Sequence, residues 1–262
     1  MDAEVWAWLR GTRFLGMEGV PSLVAEHLVY AFLPTGIAML IALPVGLWVG
    51  HTHRGGEIAV NIANVGRAVP SFGIITLAYI AFLGVEAAGS EYAPVYLTLV
   101  LMAVPPILTN TYVGVREVDP EVLDAARGMG LTGWQLVRRV EIPMAMPVIM
   151  AGIRTSAVQV VATATLAAYV GLGGLGRPIF TGLAIGVQFN PQARAIVLTG
   201  VVLVAVLAVL TELGLGRLER LVVPRGIQER ESALAVGGSG ADAAIALPDE
   251  PTEPAEPEGA GI

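Results

Sequence analysis

The chain has 262 residues, 55% of them hydrophobic and only 14% charged, with a mean hydropathy of +0.70. Soluble domains carry about 25% charged residues, so a water-soluble globule is a poor fit. There is no Cys, which excludes disulfides, thiolate metal sites and a cysteine nucleophile, and every basic residue is Arg. Without Lys there is no Walker A loop and no Schiff base, so ATP used on this chain's behalf must be hydrolysed by another.

The net charge of −7 belongs to one end. Residues 231–262 hold seven acids and no base, whereas residues 1–230 balance fifteen Arg against fifteen acids. No nucleic-acid partner is expected of a body so balanced. The tail is rich in Ala, Gly, Pro and Glu and cannot bury enough apolar area to offset its ordering entropy, so it reads as an acidic disordered extension.

In chain order, residues 1–20 open with Asp2 and Glu4, unlike a signal peptide. Trp6, Trp8 and Phe14 suit an interfacial segment at headgroup level; a frayed leader is the other reading. A bilayer core of roughly 30 Å needs about 20 apolar residues. Five stretches meet or approach this: 28–50, 58–85, 92–115, 142–176 and 195–211. A sixth, 178–188, is too short to cross and reads as interfacial or re-entrant. The expected fold is therefore all-α, a polytopic bundle over residues 21–215, followed by a basic juxtamembrane segment at 216–230. Counting Arg puts nine inside and four outside if the N-terminus is outside and the C-terminus cytoplasmic, as the positive-inside rule prefers. Prolines punctuate the spans, and small residues such as Gly36, Gly46, Gly152 and Gly200 allow close helix approach. No internal repeat is visible, so an inverted-repeat carrier is unsupported.

The polar residues inside the spans are few. Asn61, Asn64 and Arg67 form a stripe at i, i+3, i+6 just before Pro70 and Ser71. Arg67 lies about 15 Å beyond Glu57, near the midplane. Arg154 sits deep in the fourth stretch, with Gln159 and Thr163 beyond it, and no intramembrane acid is in sight for either Arg. Such an Arg must face a cavity or a partner. Two readings stand: the set lines a translocation path, or the guanidinium groups satisfy carbonyls freed by prolines. His51 and His53 read as a solvated turn rather than metal ligands, and His27 as interfacial. Gly171-x-Gly173-x-x-Gly176 matches the dinucleotide fingerprint formally but follows an apolar helix instead of a strand, so it reads as a flexible break. No metal or cofactor is expected.

The connection between the third and fourth stretches, residues 116–143, carries structure of its own. Asp119-Pro120 is an N-cap followed by a first-turn proline. Leu123, Ala126 and Met129 recur at helical spacing, and Gly128 and Gly130 end the helix, Gly130 in the left-handed region. Thr132 caps a second helix bearing Trp134, Val137, Arg138 and Arg139. The short amphipathic helix either docks a cytoplasmic partner or lies on the membrane.

These residues resemble the EAA loop of ATP-binding-cassette importer permeases, which runs Glu-Ala-Ala, three residues, Gly, nine residues, Ile-x-Leu-Pro. Here the residues are Asp124-Ala125-Ala126, Gly130 and Val140-Glu141-Ile142-Pro143: complete spacing, with Asp for Glu, Val for Ile and Ile for Leu. The stretches AMPVIMAGIRTSAV and TATLAAYVGLGGLGRPIFTGL are similar to permeases for glycine betaine, carnitine, choline and related osmoprotectants, over roughly residues 20–215.

The resemblance implies a five-span permease paired with an identical or sister subunit, cytoplasmic ATPase subunits beneath it, and an extracytoplasmic binding protein that delivers the solute. It makes Leu123, Asp124, Ala125, Ala126, Met129, Gly130, Val140, Ile142 and Pro143 the ATPase-coupling residues. The alternatives are a permease for another small solute such as methionine, or a channel or secondary carrier uncoupled from ATP. An embedded enzyme would need clustered His or carboxylates within the spans, and none are present. The Trp residues at 6, 8, 48 and 134 form no mid-membrane cage, so tight recognition of a quaternary ammonium falls to the binding protein.

Overall fold

The computed structural model describes residues 6, 8–10, 12, 17–58, 60–61, 70–86 and 89–223. Its elements are helical: α1 (Val20–Thr52), α2 (Ser71–Phe82), α3 (Ala93–Arg116), α4 (Pro120–Gly128), α5 (Gly133–Leu136), a π-turn (Val137–Glu141), α6 (Ile142–Thr163), a 3-10 stretch (Ala164–Val170), α7 (Gly176–Ile185) and α8 (Pro191–Val222). Among the described residues, four helical runs are long and apolar enough to cross a bilayer: α1, α3, the run from Gly133 to Val170, and α8. The second expected stretch, 58–85, contributes the 12-residue α2, and its middle, 62–69, lies outside the described residues. So do Phe14, Asn64, Arg67 and the tail from 224.

The long helices outrun the uncharged stretches that announce them. α1 spans 33 residues and α8 spans 32, because helix continues into polar turns at either end. α7 is a 10-residue helix that overlaps the short stretch 178–188 and is too brief to cross.

α1, α3 and α6 share the main core, where Ala38, Ala42, Leu99, Ala103, Ile107, Ala145, Ile149 and Val160 are buried. Lipid tails are as apolar as these side chains, so close packing, rather than the hydrophobic effect, must hold the helices together. Small residues make that possible. A Cβ on Gly46 would fall 2.7 Å from Thr111, and one on Gly152 would fall 2.6 Å from Asn110. The bundle's other surface is greasy: Leu40, Trp48, Leu198 and Val209 stand exposed on α1 and α8.

Hydroxyls within the spans turn inward on their own helices. Thr35, Thr98, Thr111, Thr163, Thr199 and Thr211 each donate to the carbonyl four residues back. Ser156 is different: it donates across to the Ala103 carbonyl of α3 at 3.0 Å, just before Pro105 and Pro106.

Trp8 is not a headgroup anchor. It is fully buried with Met17, Leu23, Leu175 and Ile196, and its indole N–H donates to the Glu18 carbonyl at 2.9 Å. Trp6 remains exposed. The indole found a better partner in the gap between α1, α7 and α8 than in water.

Candidate functional site

Residues 117–141 project from the end of the bundle where α3 finishes and α6 begins. Asp119 caps α4 by accepting from the Glu121 N–H at 2.9 Å, and Pro120 opens the helix. Leu123 and Ala126 are buried against Val118 and Leu136, a small core built mostly from the loop, with Met144 of α6 packed at its edge. The opposite side of α4 is open: Asp124, Ala125 and Met129 are exposed, Met129 at 76%. Asp124 pairs with Arg127 at 2.7 Å, but both side chains are largely solvated, so the pair adds only about 0.5 kcal/mol. Gly130 takes φ +85°, as expected of the helix terminator, and no atom would obstruct a Cβ there. Backbone conformation alone therefore selects glycine. Thr132 and Gln135 close a capping box around α5, and Trp134 stands 71% exposed.

The loop returns to the bundle through a widened turn. The Ile142 N–H reaches the Val137 carbonyl five residues back. Pro143 follows at once; its ring would crowd the carbonyl of Arg139 in a regular helix, and the extra residue in the π-turn makes room. Val140, Ile142 and Pro143 are half-buried here. The nine residues expected to couple thus share one loop, some fixing it and others facing outward.

Two residues missed by the sequence reading tie the loop down. Glu141 is 2% exposed, and its carboxylate meets His51 Nδ1 at 2.8 and 3.0 Å. His51 is the last-turn basic residue of α1. It is not part of a solvated turn but a clamp from α1 onto the π-turn; only His53 keeps the turn role, with φ 52°. The signal was present in Val140-Glu141-Ile142, a lone acid between aliphatic residues that needs a partner when buried.

At the opposite end the glycine-rich turn is also tied to α1. Gly171 ends the 3-10 stretch at φ 87°, and the Gly174 N–H donates to Glu26 at 2.8 Å. The turn is a break between helices, as read. His27 is fully buried rather than interfacial. Its Nε2–H donates to the Val161 carbonyl at 2.9 Å, and Nδ1 accepts from the Leu175 N–H at 3.3 Å, the pattern of a neutral ring.

Among the expected path residues, Asn61 and Pro70 are exposed, Ser71 and Gln159 are half-buried, and Thr163 is bonded to the Gln159 carbonyl. Arg154 requires correction. It pairs with Glu212 at 3.1 Å and Glu219 at 3.0 Å. Both acids lie beyond the uncharged stretch 195–211; α8 continues to Val222 and lays them, one above the other at i and i+7, against α6. Its guanidinium is turned to α8, so the structure does not bring it together with Pro70 and Ser71.

Among known proteins, the family profile described as "Binding-protein-dependent transport system inner membrane component" matches residues 42–223. The carnitine transport permease protein OpuCB of Listeria monocytogenes is 39% identical over 78% of this chain and 88% of its own length. The glycine betaine/carnitine/choline transport system permease protein OpuCB of Bacillus subtilis (strain 168) is 36% identical over the same shares. In structure, a chain of the MetNI methionine ABC transporter, solved in an inward-facing conformation, matches with a TM-score of 0.64. It is 25% identical and is covered over 100% of its length by 85% of this chain.

Proposed function

The chain belongs to the binding-protein-dependent transport system inner membrane components, and from that premise we propose that it is the permease subunit of an ATP-binding-cassette importer for osmoprotectants of the glycine betaine, choline and carnitine class. It lies in the cell membrane with its N-terminus outside and its C-terminus cytoplasmic. It pairs with a second permease, identical or sister, and receives solute from an extracytoplasmic binding protein. Its cytoplasmic ATPase partners supply the energy; this chain, which has no lysine for a phosphate loop, makes and breaks no bonds itself.

The observation that carries this reading is the two-sided character of α4. Leu123 and Ala126 anchor it, while Asp124, Ala125 and Met129 stand free at the loop's outer face. A short helix held at its base, with Ala125 and Met129 exposed beside Asp124, is built to be pushed. Nucleotide-driven closure of an ATPase on that tip passes through the π-turn into α6, and through His51 into α1. The names of the relatives support the solute class.

The test is reconstitution with the cognate ATPase. The wild-type permease co-elutes with the ATPase in detergent, and ATP hydrolysis drives uptake. In Gly130→Val the side chain strains a left-handed backbone by about 1–3 kcal/mol. The variant still enters the membrane, but solute imported per ATP falls about tenfold or more. A coupling ratio equal to wild type would overturn the assignment of this loop.

A further inference from the structure

The bundle end away from α4 carries a cluster of aromatic rings beside α2. α2 presents Phe72, Thr76 and Tyr79 at i, i+4 and i+7, on one side of the helix. Facing them is Tyr169 of the 3-10 stretch, whose ring centroid lies 4.5 Å from that of Phe72 and 6.1 Å from that of Phe180 on α7. Two open cavities run along this face. One, of about 400 Å³, is lined by Thr76, Tyr79, Tyr169, Val170 and Gly171. The other, of about 340 Å³, shares Tyr79, Val170 and Gly171 and extends to Phe82, Ser90 and Glu91. Both fall in the range of small-molecule sites, about 300–1,000 Å³.

The chemistry of the lining is selective. Tyr79 and Tyr169 are 41% and 46% exposed, so their rings are accessible from the cavities. Among the described lining residues Glu91 is the one acid and no residue is basic. The Ser90 hydroxyl is committed to the Val85 carbonyl at 2.7 Å. An anion would find no cation here, and a strongly hydrated ammonium would find few acceptors to replace its water. A methylated ammonium has no N–H to satisfy and is drawn to ring faces and to a nearby carboxylate.

We propose that the trough formed by Tyr79, Tyr169 and Glu91 is a quaternary-ammonium subsite of the permease itself, where a solute first engages this chain. The inference rests on the osmoprotectant reading above and gives it a place. Tryptophan was the wrong ring to look for in the sequence. Tyr79 and Tyr169 are far apart along the chain and meet only because the 3-10 stretch packs beside α2.

The experiment uses the full chain, assembled with its ATPase in nanodiscs without the binding protein. Its probes are choline and the uncharged isostere 3,3-dimethyl-1-butanol. Choline is expected to bind weakly, and the isostere about tenfold more weakly still, since only the charge differs. The double variant Tyr79→Leu with Tyr169→Leu should weaken choline about tenfold and leave the isostere unchanged, whereas Tyr79→Phe with Tyr169→Phe, which keeps the rings, should bind choline as wild type does. Glu91→Gln should also weaken choline selectively.

Equal binding of choline and the isostere by wild type overturns the subsite even if the leucine variant fails to fold. So does a leucine variant that binds normally, or one that loses pairing between permeases, which would assign the rings to a subunit contact. Uptake separates this failure from that of the wider reading. If wild type with its binding protein imports choline or glycine betaine and the trough variants match it in binding and uptake, the subsite alone falls. If wild type imports no quaternary ammonium, the solute class falls and takes the subsite with it.

Discussion

His51 and Glu141 show how one buried carboxylate can join two elements. Glu141 is almost wholly withdrawn from solvent, and His51 holds both of its oxygens. Replacing His51 by Ala leaves those oxygens without that donor and should cost about 1–3 kcal/mol, read as a lower midpoint of thermal unfolding in detergent. Glu141→Leu removes the demand together with the acid, so it should destabilise less than His51→Ala. The reverse order would mean that the pair is incidental to the loop's attachment. Of the loop's chemistry, the N-cap Asp119, the capping Thr132 and the left-handed Gly130 were legible in the sequence, because capping and backbone sign are local properties. The partnership of His51 with Glu141 was not, because it spans 90 positions and depends on where α1 ends.

At the scale of the element, α6 and α8 are locked by charge. Arg154 reaches two carboxylates on α8, and its side chain is one-third exposed, so the pairing is partly screened. Arg154→Leu should leave Glu212 and Glu219 repelling each other weakly and lower stability by about 1 kcal/mol, whereas Arg154→Lys, a point charge without the fork, should recover part of it. If Arg154→Leu instead abolished uptake at full stability, a role along the path would be supported. Hydropathy revealed the helices but truncated them, since it stops at the first charge. That same habit hid Glu212, the residue that explains Arg154. Likewise α2 was legible only as part of a longer apolar stretch, because composition does not say where Pro70 divides it from what precedes.

Across the whole molecule, the absence of cysteine offers a direct measure of topology. Glu121→Cys on the loop and Phe189→Cys before α8, where Phe189 is 90% exposed, place single thiols at opposite ends of the bundle. With the proposed orientation, an impermeant maleimide added to intact cells should label position 189 and spare position 121, and inverted vesicles should exchange the two. Labelling of position 121 from outside would put α4 beyond reach of any cytoplasmic ATPase. The all-helical class was readable from composition alone, since a bilayer admits few backbone solutions; the crossing of α1 over α3 at Gly46 was readable only as a tendency of small residues to meet.

The self-contained hydroxyls of the spans have a mechanical consequence. Where Thr35, Thr98, Thr111 and Thr163 keep their bonds within their own helices, neighbouring helices can slide without stranding a donor. Ties between distant elements are found at both ends, Glu26 and His27 at one and His51 at the other, and partway along α6, where Arg154 reaches α8 and Ser156 reaches α3. A bundle fastened in this way turns about its fastenings, so a displacement at one rim reaches the other as a tilt.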